Sequence, residues 1–445
     1  MSLGNLRLDN NDSLMKTDEV LNLPSNLLNQ GGYGCVYYPA VKCDEKSDID
    51  QAKYVSKLQV LNKSAINEVK ISRLIKNIIG FDKFFAPIVN ICDIDLKKFD
   101  NTQTDEHGDT CGIINRKPDK KFALLHIPYI HDGNFNKNII KFGVRKTFIG
   151  LIDCYNHLLN GLRHLADIDI LHYDLKNDNI LYNSVKQQPI IIDFGLSINL
   201  KPILPLFAKK NVTLSHRDIK LLRDKFYVFA PDYYLWCLEI HIISFFFNGS
   251  KYDFEEQSST VRYGDTGGGR KITHDLKNNT LTYEYIKQIC KMYIAKNKTL
   301  RVFNRKFRLD YLKNSIKYFS KYIGMKPELV IKDLLVNWKT WDNYSVSIMY
   351  IKIINSVFDF KQNKTIDFFY ELLLQNMHYD PNKRLSISDT WHKFKEIFYS
   401  GDSIENLLIL LNTHNLDKEA ISKKLDQDVE HINTIIEAAL RKKIT

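Results

Sequence analysis

Two short polar loops, each anchored by apolar runs, constrain this chain more than any other feature. The first, His172-Tyr-Asp-Leu-Lys-Asn-Asp-Asn179, lies between apolar stretches on both sides. The run Pro189-Ile-Ile-Ile192 then leads into the second, Asp193-Phe-Gly195, with Asp193 nineteen residues past Asp174. Phosphoryl transfer needs this kind of fixed polar array, because it depends on positioning and charge neutralisation more than on covalent help. A carboxylate must hold the attacking hydroxyl and accept its proton, and Asp174 suits that role. Hard oxygen donors must hold Mg²⁺ against phosphates; Asn179 and Asp193 suit it. Lys176, two residues beyond Asp174, can reach a γ-phosphate.

The flanking sequence divides in two. Short β-type runs (Val36 to Val41, Lys53 to Gln59, Pro87 to Ile91, Phe122 to Ile127) surround one helical stretch from about Lys63 to Ile79. Residues 98–120 are polar and read as a surface loop. From about Lys146 the period changes: Phe148, Leu151, Tyr155, Leu158, Leu162 and Leu165 recur at steps of three and four, one apolar face of a helix.

Together the two loops resemble the protein kinase catalytic loop, H-R-D-L-K-x-x-N, followed by D-F-G. The resemblance covers about residues 24–398. It implies an α+β, bilobal protein kinase fold, with a small β-rich N-lobe at 24–130 and a large α-helical C-lobe at 131–400. A polar segment, 1–23, precedes it and a helical extension, 401–445, follows. The implied cofactors are ATP and Mg, the implied partner a protein substrate. Asp174, Lys176 and Asn179 would be catalytic, with the metal on Asn179 and Asp193. Lys two residues after the catalytic Asp is similar to serine/threonine rather than tyrosine kinases. Tyr173 stands where the family has an Arg that pairs with an activation-loop phosphate, which implies either activity without that phosphorylation or, as the weaker reading, lower activity. His216-Arg-Asp-Ile-Lys220 matches H-R-D more closely, but Arg223 sits where Asn is needed and no D-F-G follows, so it reads as activation-segment surface.

The nucleotide cradle resembles G-x-G-x-x-G-x-V. Its residues are Leu28, Asn29, Gln30, Gly31, Gly32, Tyr33, Gly34, Cys35 and Val36, with Gly31 and Gly34 on the second and third glycines and Asn29 in place of the first. Glycine permits close backbone approach to phosphates and positive φ. Lys57, in Tyr54-Val-Ser-Lys57, fits the family's ATP-pairing lysine; Lys42 leaves too little chain for a strand, a turn and a second strand. Glu68, on the predicted helix, would orient Lys57. Pro128-Tyr-Ile130 resembles the adenine-binding hinge.

Farther on, Ala230-Pro-Asp232 resembles A-P-E and Asp342-Asn-Tyr-Ser-Val-Ser347 resembles D-x-W-S-x-G. The stretch between them is long, so about 251–337 reads as an insertion; the basic Gly264-Asp-Thr-Gly-Gly-Gly-Arg-Lys271 within it reads as a linker, with a docking surface the alternative. Asp380-Pro-Asn-Lys-Arg384 resembles D-P-x-x-R. Either Asp232 or Glu239 would pair with Arg384. The Asn-, Lys- and Ile-rich style and the Gly-Gly-Tyr-Gly-Cys-Val-Tyr loop are similar to kinases of nucleocytoplasmic large DNA viruses.

Net charge is +11, but the lysines and arginines are spread without a block of like charges, which argues against a nucleic-acid function. Seven cysteines, odd in number, widely spaced and without C-x-x-C, argue against a disulfide framework and a zinc site and fit a reducing compartment. No signal peptide is visible and the longest apolar run is too short for a bilayer, so the expectation is a soluble intracellular protein, in host cytoplasm or virion if viral, with no membrane partner. Nothing fixes an oligomeric state. The competing readings are a pseudokinase scaffold that binds ATP without transfer, disfavoured because Lys57, Glu68, Asp174, Asn179 and Asp193 are all present, and an aminoglycoside-type small-molecule kinase, which generally lacks D-F-G.

Overall fold

The first hairpin follows from alternation. β1 (Asn26–Gln30) pairs antiparallel with β2 (Gly34–Tyr38), where Cys35 and Tyr37 are buried and their neighbours are not. That period of two marks a strand with one covered face. β2 stops at Tyr38, short of the expected Val41, because Pro39 has no N–H to give a ladder. β3 (Tyr54–Val60), β4 (Asn90–Asp93) and β5 (Phe122–Pro128) complete a sheet of order β1-β2-β3-β5-β4. The computed structural model describes residues 25–31, 34–43, 49–94, 96, 99, 102–105, 108–131, 133–140, 144–248, 280–357, 364–399 and 417–441. Gly32, Tyr33, segment 1–23 and the Gly264–Lys271 stretch lie outside them.

Two compact units emerge. One comprises the described residues up to Asn138 with Asp153–Ile168 and Asp178–Ser197; the other comprises Ile139–Ile152, Asp169–Asn177 and the described residues from Ile198 onward. In the first unit, α1 (Lys63–Ile75) is capped by Asn62, whose side chain accepts from the Ala65 amide. It buries Ala65, Glu68, Val69, Ser72 and Ile75, a stripe at steps of three and four. Val69 joins Ile88, Ile91, Ala123 and Leu125 in one core cluster. A second cluster holds Leu27, Tyr37, Leu58, Phe122 and Leu124. Each fully buried side chain of this size contributes about 1.5–3 kcal/mol. The short α2 (Gly112–Arg116) and α3 (Phe135–Ile139) follow, then α4 (Val144–Asp167), the helix expected from about Lys146.

The cysteine expectation is overturned here. Cys35 is bonded to Cys111, and Cys43 to Cys92; Cys154, Cys237 and Cys290 are free and buried. Parity and spacing failed because the pairs lie 76 and 49 residues apart in sequence, and Cys43 and Cys111 lie outside the strands, where no local pattern marks a partner. With its disulfides intact, the unfolded protein should titrate three thiols without reductant and all seven after reduction. Seven thiols in the unreduced protein would refute the pairing.

In the second unit, β6 (Ile170–Leu171) pairs with β9 (Ile198–Asn199). The hairpin β7 (Ile180–Asn183) and β8 (Gln188–Ile191) belongs to the first unit. Around β6 and β9 the second unit is helical: α5 (His216–Lys225), α6 (Leu238–Asn248), α7 (Tyr283–Lys296), α8 (Arg305–Phe319), α9 (Pro327–Leu335), α10 (Trp341–Val357), α11 (Lys364–Asn376), α12 (Ile387–Tyr399) and α13 (Lys418–Arg441). α10 is buried over almost its whole length, its polar Asp342, Asn343, Ser345 and Ser347 included. The described residues of the expected insertion, 280–337, are mainly helical. α7 buries Ile286, Ile289, Cys290 and Tyr293, and α9 buries Val330, Ile331, Leu334 and Leu335. Among the described residues no helix is long and apolar enough to cross a membrane.

Candidate active site

In the first unit the central strand β3 carries Lys57, opposite Val36 on β2 and Leu125 on β5. Its ammonium lies 3.1 Å from Glu68 Oε2 and 3.4 Å from Asp193 Oδ2. Glu68 arrives there because the buried stripe of α1 faces the sheet. Burial alone would lower the Lys57 pKa, but the carboxylates of Asp193 and Glu68 outweigh it and hold the amine charged. Burial pushes Glu68 up, to about 7, against the pull of Lys57. Lys42 lies beyond the end of β2, outside any strand.

The D-F-G segment is held by a residue that sequence reasoning missed. Asn67 Nδ2 donates to the carbonyls of Phe194, Gly195 and Ser197, at 3.4, 3.1 and 2.8 Å. Its only signal was adjacency to Glu68. Asp193 has a left-handed φ of 60°, and its Oδ1 accepts from the Gly195 amide. A Cβ on Gly195 would run into the Ser64 hydroxyl, so a larger residue there would force that side chain to move. Asn179 and Asp193 flank the β7–β8 hairpin: Ile180 pairs with Ile191, and Ile192 donates its amide to the Asn179 carbonyl at 3.0 Å.

The cradle glycines act differently from expectation. Neither Gly31 nor Gly34 adopts positive φ. Gly34 is needed because a Cβ would collide with the Leu58 carbonyl on β3. Space around Gly31 is open: a Cβ there would meet nothing within 4 Å. Leu28 is exposed beside a register irregularity between Leu27 and Asn29. Gln30 accepts from the Gly112 amide at 3.2 Å, and Cys35 is the disulfide partner of Cys111.

This donor set fits a magnesium nucleotide. Mg²⁺ takes one or two protein oxygen ligands and completes its shell with water and phosphate. Asp193 offers a carboxylate 41% exposed, and Asn179 an amide oxygen. Among the described residues no cluster of three or more His, Cys, Asp or Glu could hold a metal on protein ligands alone.

In the second unit, Asp174 is buried and doubly engaged. Tyr233 donates its hydroxyl to Oδ1 at 2.7 Å, and Lys176 Nζ lies 3.5 Å from Oδ2. The loop beneath is clamped by Asp342 on α10, whose carboxylate accepts from the amides of His172 (2.7 Å) and Tyr173 (3.0 Å). Burial raises the Asp342 pKa, while His172 and the two amides pull it down. Tyr173 has a φ of 72°, rare for a bulky residue. It is held by that amide bond, by Trp236 Nε1 donating to its carbonyl, and by ring packing on Trp236 and Phe226. An aromatic cluster thus occupies the place the resemblance gives to an arginine.

Two sequence ambiguities resolve. Arg384 forms a bidentate pair with Glu239 at 2.6 and 2.9 Å, so Glu239, not Asp232, is its partner. The H-R-D decoy is the first turn of α5, where Ser215 and Asp218 form a capping box.

A family model described as "Protein kinase domain" matches residues 25–394. The chain is 32% identical over 98 residues to the human "Myosin light chain kinase family member 4", a match covering 22% of this chain and 25% of that protein. It is 28% identical over 141 residues to a Dictyostelium discoideum "Probable serine/threonine-protein kinase" (30% and 18% covered). It is 23% identical over 204 residues to a "Probable inactive serine/threonine-protein kinase" of the same organism (43% and 31% covered). The chain thus spans about a quarter of the length of the curated relatives it matches.

Proposed function

The chain belongs to the protein kinase domain family, with the two-lobed fold of that family, and from this we propose that it is an active serine/threonine protein kinase using Mg-ATP. The observation that carries the reading is Lys57, held charged between Glu68 and Asp193. A buried ammonium shared by two carboxylates is costly to desolvate, and such arrangements cluster at functional sites, which supports the reading.

In this reading Lys57 orients the α- and β-phosphates, and the Asn179 and Asp193 oxygens hold the metal. The bound magnesium nucleotide supplies the phosphoryl group and offsets its charge. Leu28 to Val36 cover the phosphates. Asp174 holds the substrate hydroxyl and accepts its proton, while Lys176 balances negative charge beside it. Tyr233 fixes the rotation of the Asp174 carboxylate. The Asn-, Lys- and Ile-rich composition supports a place among kinases of nucleocytoplasmic large DNA viruses. The second reading, an ATP-binding scaffold, draws on one observation: Tyr233 already occupies one oxygen of Asp174.

The pH profile tests the Lys57 assignment. Below about pH 7 the Glu68 carboxyl is neutral and its ion pair with Lys57 is lost. kcat/KM for ATP should therefore rise with pH through about 7, and Glu68→Gln should remove that limb. A profile identical in wild type and Glu68→Gln would refute the assignment. The stability sign is opposite. A carboxyl raised above its ordinary 4.5 favours the protonated fold, so its contribution is complete at low pH and lost as pH rises through about 7.

A further inference from the structure

The family match stops at residue 394, yet α13, at Lys418–Arg441, is bonded into the second unit. Ile421, Leu425, Ile432, Ile436 and Leu440 form its buried face, and it packs on α10. Asp428, from the same helix, is 13% exposed and sits between two lysines. Its Oδ2 lies 2.6 Å from Lys352 Nζ on α10, and its Oδ1 lies 3.0 Å from Lys298 Nζ, just past α7.

The connection continues inward. Lys352 Nζ also donates to the Tyr234 hydroxyl at 3.3 Å and lies 5.9 Å from the centre of that ring. The Tyr234 carbonyl accepts from Tyr293 of α7, and the Leu235 carbonyl accepts from Ser345 of α10 at 2.7 Å. The Tyr233–Leu235 backbone is therefore gripped on the side of Tyr234, while the adjacent Tyr233 hydroxyl holds Asp174. Tyr233, Tyr234 and Leu235 are all buried, so a shift of one cannot be absorbed by slack around the others.

We propose that α13 is a positioning element for the catalytic loop, acting through Asp428, Lys352, Tyr234 and Tyr233 on the Asp174 carboxylate. Asp428 and Lys352 are positioning residues; neither touches the reacting atoms. A surface helix merely covering α10 would need only its apolar face. Two lysines from separate segments converging on one largely shielded carboxylate give the helix a fixed register on α10. Lys352 keeps its charge there at a cost: burial lowers its pKa to about 8 although Asp428 opposes the shift. The consequence for Asp174 rests on the kinase reading above; the physical coupling from helix to tyrosine does not.

The test uses the full chain with Asp428→Asn, Lys352→Met and Lys352→Arg, and 3-fluorotyrosine placed at position 233. Asp428→Asn and Lys352→Met should lower kcat roughly ten-fold with KM for ATP unchanged, because small misplacements of a catalytic group are costly in rate. Lys352→Arg should keep most of the activity. The fluorine resonance at position 233 should shift in Asp428→Asn relative to the parent protein. An unmoved resonance overturns the coupling whatever the rate does. A moved resonance with unchanged kcat overturns the positioning role. A parent protein that transfers no phosphate defeats the kinase reading instead, and the resonance still decides whether the helix is coupled to Tyr233.

Discussion

Asp174→Asn should lower phosphoryl transfer by roughly 10³-fold while leaving Mg-ATP affinity within about two-fold of wild type. The substitution is nearly isosteric. The Asn carbonyl oxygen can still accept from Tyr233, and the amide clamps from Asp342 to His172 and Tyr173 do not involve the changed side chain. What is lost is the ability to take a proton from the substrate hydroxyl, together with the charge facing Lys176 at 3.5 Å. The residues assigned to the nucleotide, Lys57, Asn179 and Asp193, are untouched. Isothermal titration with ATP and magnesium, run beside a transfer assay, separates the two effects. Transfer within ten-fold of wild type would remove Asp174 from the base role.

Glu239→Ala should destabilise the second unit by about 3–5 kcal/mol. Glu239 and Arg384 are almost wholly shielded, their side chains 0% and 1% exposed, and they share two short hydrogen bonds. Removing the carboxylate leaves a buried guanidinium with its charge uncompensated, facing the Tyr344 ring and the His378 carbonyl. Arg384 cannot shed its proton in relief, because it stays charged at any pH a protein survives. Thermal unfolding should fall by about 10 °C. The double change Glu239→Met with Arg384→Met should recover much of the loss, since it removes both charges and keeps the volume. A double change no more stable than Glu239→Ala alone would contradict the pairing.

Much of the fold was readable because certain residues are interchangeable with nothing else. Asp174, Asn179 and Asp193 combine residue type with spacing, and the change to period 3.6 near Lys146 marks α4. Legibility failed where tertiary contact, not local pattern, decides. Ala230-Pro-Asp232 looks more like A-P-E than Cys237-Leu-Glu239 does, yet only Glu239 sits in the buried site that Arg384 enters. The cysteine pairs depend on contacts between segments far apart in sequence, with Cys43 and Cys111 outside any strand. The helices of 280–337 were hidden by the stretch before them, whose composition reads as a linker. Tyr233 and Asn67 carry no motif at all; each matters through one side chain reaching a segment far away in sequence.

Phosphoamino-acid analysis tests the central claim most directly. The wild-type chain, Lys57→Met and Asp174→Asn would each be incubated with magnesium and γ-labelled ATP in the presence of a basic protein acceptor. Label should appear on serine and threonine, not tyrosine, with the wild type, and fall to background with both variants. Mg-ATP binding by the wild type with no label on any hydroxyl, or equal labelling by all three proteins, would contradict it.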